Sequence, residues 1–204
     1  DAAIPQFAHV PMILGEDGKR LSKRHGAVSV MQYFEDGYLP DALLNYLVRL
    51  GWSNGDQEIF SRDEMKQLFS LEGINRAAST FNQDKLAWIN QQYLKSTNLD
   101  VIVELVKQRL QKNGVEFEQT LDLSSIVDLY RERVKTINEL AENILYVFEE
   151  FEEYESKAAK KAFKEAALQP LQMLHDKLGA LNSWSAESIH NVIQSITEEL
   201  QVNM

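Results

Sequence analysis

The chain has 204 residues, a net charge of −10 at neutral pH and no cysteine. The missing cysteines exclude a disulfide framework, a thiolate metal site and a cysteine nucleophile. The acidic balance argues against broad, nonspecific nucleic-acid binding, which needs a basic face, and no apolar run is long enough to span a bilayer.

Residues 7–15 read as a strand ending in Gly15. The segment Gly18-Lys19-Arg20-Leu21-Ser22-Lys23-Arg24-His25-Gly26 follows, with four cations and one serine on a glycine-bounded loop. A helix is expected from Val28. Strand, glycine turn, cationic loop and helix suit a polyphosphate, because backbone N–H and ammonium groups can converge on anionic oxygens. Lysines hold phosphate as mobile point charges, and a serine hydroxyl adds one hydrogen bond. The competing reading is a basic surface loop with no ligand.

Helical signals dominate beyond this point. Pro40 suits a first helical turn, with Asp41 near the positive helix end. Leu43, Leu44, Leu47, Val48 and Leu50 form an apolar stripe that Gly51 stops. Ser61-Arg62-Asp63-Glu64 is a capping box before Met65, Leu68 and Phe69. Asn82 or Asp84 starts a helix holding Leu86, Ile89 and Tyr93. Residues 97–100 open another, with Ile102, Leu105, Val106 and Leu110 inward and Gly114 closing it. Residues 124–154 hold two helices. The alanine- and lysine-rich run 156–178 favours helix, with Pro170 breaking or kinking it. Ser185 caps a last helix with Ile189, Val192, Ile193, Ile196 and Leu200 on one stripe. The fold is therefore expected to be mainly α: helical bundle or cage domains with a short strand-loop segment at the N-terminus. Polar and compositional breaks suggest units at 1–97, 98–155 and 156–204.

Charge is unevenly placed. Residues 1–30 set Asp1, Glu16 and Asp17 against Lys19, Arg20, Lys23 and Arg24, a net +1, whereas residues 142–155 carry six glutamates and no lysine or arginine. Any RNA contact should avoid that second stretch. Trp52, Trp88 and Trp184 could stack on bases, but each lies on or beside an apolar stripe, which favours core packing. Metal and nucleophile readings fail: the four histidines are scattered, and His190 with Glu187 alone reads as surface. No G-x-S-x-G, G-x-G-x-x-G or P-loop pattern occurs.

Arg20-Leu21-Ser22-Lys23-Arg24 resembles the second signature loop (KMSKS) of class I aminoacyl-tRNA synthetases. Phe7-Ala8-His9-Val10-Pro11, Tyr38-Leu39-Pro40-Asp41-Ala42-Leu43-Leu44-Asn45-Tyr46-Leu47, Leu50-Gly51-Trp52-Ser53 and Phe81-Asn82-Gln83-Asp84-Lys85-Leu86-Ala87-Trp88-Ile89-Asn90 extend the resemblance to the glutamyl-tRNA synthetase family over residues 1 to about 95. Arg20 departs from the family's first lysine, keeping the charge but changing the head group. The family's H-x-G-H motif does not occur, so the chain is expected to be a C-terminal fragment, incomplete at its far end as well.

The resemblance implies a parent enzyme that activates glutamate with ATP, accompanied by Mg as counter-ion, and transfers it to tRNA(Glu). It implies a stem-contact domain to about residue 97 and then part of a helical anticodon-binding domain. Lys23 would be the catalytic phosphate ligand, supported by Arg20 and by a hydrogen bond from Ser22. Lys85 would contact RNA phosphate. Arg131 and Arg133 are the other RNA candidates; Arg133 falls where a family arginine reads the anticodon, against the alternative of a solvated arginine paired with Glu132 or Glu139. A cytoplasmic monomer is expected, with no protein-bound metal and no membrane partner, and inactive as a fragment. The alternatives are a module that only binds RNA, an all-α interaction domain without nucleic acid, and a fragment of a glutaminyl-type enzyme.

Overall fold

The computed structural model describes residues 4–22, 29–116, 121–149 and 153–201. The chain divides into two compact units, Asp1–Glu150 and Phe151–Met204. Ten α-helices and two two-residue strands occur among the described residues, so the molecule is mainly α with a small strand-loop piece near its start.

The first unit opens with extended chain. Only Ile13–Leu14 (β1) forms a strand in the run 7–15, and Phe7 is 83% exposed. Pro11, inside that run, has no N–H to donate to a ladder. The chain then reverses through a turn in which Gly18 takes φ +73°, and Leu21 N–H donates to Ile13 O at 2.9 Å. Arg20 thereby bridges Leu14 antiparallel. On its other edge β1 pairs in parallel with Ser79–Thr80 (β2), Ile13 opposite Ser79.

Helix α1 spans Val30–Glu35, with Ser29 Oγ accepting from Met31 N–H; its expected start at Val28 lies outside the described residues. Helix α2 is Pro40–Gly51, with proline in its first turn, where a missing N–H costs nothing. Helix α3 is Arg62–Leu68, and the Ser61–Glu64 capping box is formed in both directions. Helix α4 is Gln83–Ser96, capped by Asn82. Helices α5 (Leu99–Lys112), α6 (Leu123–Arg131) and α7 (Ile137–Ile144) complete the unit, followed by a 3-10 turn at Leu145–Val147.

Helix α2 packs on α4, and α5 packs on α6 and α7. One continuous core runs through all five, holding Leu43, Leu86, Ile89, Leu94, Ile102, Val106, Leu110, Val127, Leu140 and Ile144. It passes unbroken from Leu94 to Ile102 across the polar residues 96–98. Trp52, Phe60 and Met65 form a second, smaller core beside α3.

In the second unit, α8 is Ser156–Ala162, a 3-10 turn covers Glu165–Ala167, α9 is Leu168–Gly179 and α10 is Ala186–Leu200. Helix α9 packs on α10. The interruption expected at Pro170 falls earlier, at residues 163–164, and Pro170 sits in the first turn of α9, the place a helix tolerates it. Among the described residues no helix is long and apolar enough to cross a membrane.

Candidate functional site

Three pieces of the first unit meet beside the described residues that flank the cationic loop. Lys23 and Arg24 lie outside the described residues, so the geometry concerns the loop's two ends. The upstream end, Arg20 and Leu21, is tied to β1, which is tied to β2. The downstream end enters α1, where Tyr33 packs 6.1 Å from the Phe81 ring and 5.9 Å from the Tyr38 ring. Phe81 directly follows β2 and meets Tyr46 edge-on at 5.1 Å. The described residues on either side of the loop are thus anchored to one platform. Arg20 is exposed and Ser22 half-buried, on the return arm of a hairpin rather than in an open loop.

Helix α1 is fastened at its other end as well. Glu35 is bound by Lys112, and Arg109 Nη1 lies 3.5 Å away, both on α5. Hydrogen bonding and charge from Lys112, and charge from Arg109, hold the Glu35 carboxyl below its ordinary range despite slight burial. Asn138 Nδ2 of α7 donates to Glu35 O at 2.8 Å, and Ile137 N–H donates to Gly37 O at 3.0 Å. Gly37 has φ +87°, and a Cβ there would stand 2.6 Å from Asn138 N. The loop's downstream helix is therefore docked directly on α5 and α7.

The segment 81–90 builds the next part. Asn82 Oδ1 accepts from Lys85 N–H at 2.8 Å, and Asn82 N–H donates to Tyr46 Oη at 2.6 Å. Gln83 reaches Tyr38 Oη at 2.7 Å. Lys85 Nζ lies 3.1 Å from Glu58 Oε2 and 4.4 Å above the Trp88 ring. Arg49 Nη2 approaches the same carboxylate at 3.4 Å. Burial pushes the Glu58 carboxyl up, but hydrogen bonding to Lys85 and charge from Arg49 and Lys85 outweigh it, and the net shift is downward. Arg49, Glu58, Lys85, Ser79 and Thr80 line a cleft of about 230 Å³, and the cations exceed the carboxylate there by one.

Arg131 and Arg133 have different surroundings. Arg131 ends α6, its Nε 2.8 Å from Asp128, and its Nη1 donates to Thr97 O at 3.2 Å. Arg133 is not helical: it lies in the turn between α6 and α7, exposed and with no ion pair to Glu132 or Glu139. That turn is held firmly. Asn90 Nδ2 donates to Lys135 O at 2.5 Å, Gln91 Nε2 to Glu132 O at 3.1 Å, and Lys135 N–H to Glu139 Oε2 at 2.7 Å, while Val134 is fully buried. The turn, held by these bonds, carries the Arg133 guanidinium into solvent, unpaired among the described residues.

Sequence reading missed the polar side chains that hold these parts. Asn45 and Asn90 are the two fully buried polar residues among those described. Asn45 Nδ2 donates to Glu58 O, and its Oδ1 accepts from Phe60 N–H, with Tyr93 Oη 3.0 Å away. Asn90 Oδ1 accepts from Leu39 N–H at 2.8 Å, joining the start of α2 to the Arg133 turn. The available signal was an asparagine at an inward position of an apolar helical stripe. The tryptophans divide: Trp52 is core at 3% exposure, whereas Trp88 at 39% and Trp184 at 68% present faces to solvent. Trp88 sits off the Leu86–Ile89 stripe, and Trp184 precedes the α10 cap. His190 and Glu187 are exposed, and no cluster of metal-ligating side chains occurs among the described residues.

A platform-anchored strand-loop piece joined to helices that end in a rigid arginine turn has counterparts among known proteins. Residues 1–88 match the family described as tRNA synthetases class I (E and Q), catalytic domain, and residues 76–204 match the anticodon binding domain family. The chain belongs to the anticodon binding domain family, preceded by a fragment of a class I (E and Q) tRNA synthetase catalytic domain. Two of its solved neighbours are glutamate enzymes. A glutamate tRNA ligase from Elizabethkingia meningosepticum CCUG26117, in complex with its amino acid, superposes with a TM-score of 0.85 at 31% identity. The glutamate-tRNA synthetase of Elizabethkingia anophelis superposes with a TM-score of 0.82, also at 31% identity. Each match covers 98% of this chain and 43% of the other, so the chain spans less than half the length of these relatives.

Proposed function

We propose that this chain is the tRNA-binding part of a glutamate–tRNA ligase. The parent enzyme activates glutamate with ATP and passes it to the 3′ end of tRNA(Glu). The carrying observation is likeness over 98% of the chain to two glutamate enzymes. Lys23 is the main ligand of the ATP phosphates and the catalytic cation, with Arg20 beside it and Ser22 hydrogen-bonding. Mg enters with ATP as its counter-ion, not on protein ligands. As pyrophosphate departs, charge grows on its oxygens, and a fixed ammonium lowers the barrier by stabilising that charge. The shared platform under the described residues on either side of the loop supports this role.

On the RNA side, Lys85 contacts backbone phosphate at the cleft shared with Arg49. Arg133 reads the anticodon, and Arg131 stands beside it, bracing the turn through Asp128 and Thr97. The enzyme works as a monomer in the cytoplasm.

Two assays test this. Pyrophosphate exchange dependent on glutamate and ATP should be absent from the 204-residue chain, because one cationic loop cannot orient both substrates. In the complete enzyme, Lys23→Ala should slow activation roughly 100- to 1,000-fold, about 3–4 kcal/mol, with much less effect on ATP binding. Unchanged activation in a folded variant would remove Lys23 from the mechanism.

A further inference from the structure

Helices α1, α5 and α7 and the link into α2 surround a pocket of about 150 Å³ within the first unit. Its apolar lining comes from Phe34 of α1, Tyr38 and Leu39 of the link, Leu105 of α5 and Ile137 of α7. Tyr38, Leu39 and Ile137 are buried, whereas Phe34 is 39% exposed, apolar surface that the fold leaves unfilled. The charged side chains of the lining are Glu35, Arg109 and Lys112. One carboxylate therefore serves two cations, in a chain whose net charge is −10.

Both cations meet the same Glu35 oxygen. Among the described residues, Arg109 uses two of its five N–H donors, Nη1 toward Glu35 and Nη2 to Phe34 O at 3.2 Å. Lys112 uses one of three. The Arg109 side chain is only 16% exposed, so its guanidinium is held at the pocket rather than swinging in water.

Spare donors on two cations call for an anionic group, and the apolar lining selects what carries it. An apolar cavity of this size takes one benzene-sized body. A few placed polar groups beside apolar walls are how small-molecule sites fix a ligand's orientation. A bare anion leaves the apolar lining uncovered, and a neutral ring leaves the spare donors unmatched. We propose that this pocket binds a small aromatic carboxylate, its ring against Phe34, Tyr38, Leu105 and Ile137 and its carboxylate on Arg109 and Lys112. The lining belongs to three helices, so the bound molecule ties α1, the helix that follows the cationic loop, to α5 and α7. This goes beyond the reading of the chain as an RNA-binding part and does not depend on it.

Benzoate is the probe, titrated against the 204-residue chain by ligand-observed NMR. Acetate supplies the anion without a ring and benzyl alcohol the ring without a charge, both at equal ionic strength. Saturable benzoate binding at about 1 mM is expected for a ligand of this size, about 10-fold tighter than either comparison compound. Lys112→Gln removes one charged hydrogen bond at an exposed position and should weaken benzoate roughly 5- to 10-fold. Leu105→Phe fills the pocket and should abolish binding. Lys95→Gln, at an exposed lysine elsewhere, should change nothing. In the unaltered chain, amide exchange over residues 30–35 should slow when benzoate is bound.

Equal binding of benzyl alcohol overturns the part given to the cations. Equal binding of acetate reduces the site to an adventitious ion only and overturns the proposal. Unchanged benzoate affinity in folded Leu105→Phe places the ligand elsewhere, and unchanged affinity in Lys112→Gln removes that cation from the site. Unaltered exchange in α1 overturns the tie between the helices. No saturable binding up to about 20 mM defeats the proposal outright.

Discussion

Lys85 Nζ and Glu58 Oε2 stand 3.1 Å apart at the mouth of a cleft into which Arg49 also points. Both side chains are partly exposed, so the pair adds little stability, under about 1 kcal/mol. Its consequence lies in competition: the carboxylate occupies a cation that an RNA phosphate would otherwise bind. Glu58→Gln should therefore tighten RNA binding. Lys85→Ala should weaken it alike for every tRNA sequence and lower the salt slope by about 1. Titration of both variants against two unrelated tRNAs checks the signs. Weaker binding in Glu58→Gln would mean the carboxylate positions Lys85 rather than competing for it.

Arg133 and Arg131 lie two residues apart and should behave differently. In the complete enzyme, Arg133→Ala should reduce discrimination among tRNAs that differ in the anticodon by about 1–3 kcal/mol, leaving amino-acid activation unchanged. Arg131→Ala breaks the contacts to Asp128 and Thr97 and should lower unfolding stability by about 1–2 kcal/mol. Aminoacylation kinetics over an anticodon series, with urea unfolding of each variant, separates the two. Equal losses for every anticodon would make Arg133 a phosphate contact.

Tyr93 gives a pH-dependent prediction. Its hydroxyl donates to Phe60 O and lies 3.0 Å from Asn45 Oδ1. Burial, then the charges of Asp41 and Glu64, push its pKa up to about 12. A raised pKa means the folded state holds the proton more tightly than the unfolded chain does, whose phenol titrates near 10. The contribution is complete below pH 10 and is lost as pH rises from 10 to about 12. Tyr93→Phe should cost about 1–2 kcal/mol at neutral pH, and its deficit relative to the unaltered chain should shrink over that alkaline window. A deficit independent of pH would assign the loss to packing alone.

Gly37 sits where α1 docks on α7. Gly37→Ala must place a Cβ 2.6 Å from Asn138 N at φ +87°. Positive φ alone costs about 1–2 kcal/mol, and the contact adds to it. Urea unfolding should show a loss above about 2 kcal/mol, and proteolysis should open the joint between α1 and α7 first. A loss below 1 kcal/mol would mean that this joint already yields in the native protein.

Much of the helical layout was legible because its signals are local. Ser61, Asn82 and Ser185 cap the helices their sequence contexts mark, and Pro40 stands in a first turn. The misses have non-local causes. The run 7–15 is apolar enough to read as a strand, but a strand needs a partner, and only Ile13–Leu14 finds one, in residues 79–80. The hairpin that carries Arg20 depends on the same pairing. Lys85 was legible as a cation, whereas its partner Glu58 comes from a loop 27 residues earlier. Asn45 and Asn90 hold the site together, yet in sequence each is one polar residue in an apolar stripe. Arg133 was placed in a helix because residues 124–134 are periodic; the helix ends at Arg131 instead, and Val134 enters the core from the turn that follows.

The most direct test of the whole account is competition binding at low salt. The 204-residue chain bound to a labelled tRNA(Glu) transcript is challenged with unlabelled tRNA(Glu), an anticodon-substituted tRNA(Glu) and an unrelated tRNA. The account predicts saturable, salt-dependent binding in which tRNA(Glu) competes best and the anticodon variant is weaker by a factor that disappears in Arg133→Ala. Failure of the folded chain to bind any of the three, or indifferent displacement by all of them, would contradict it.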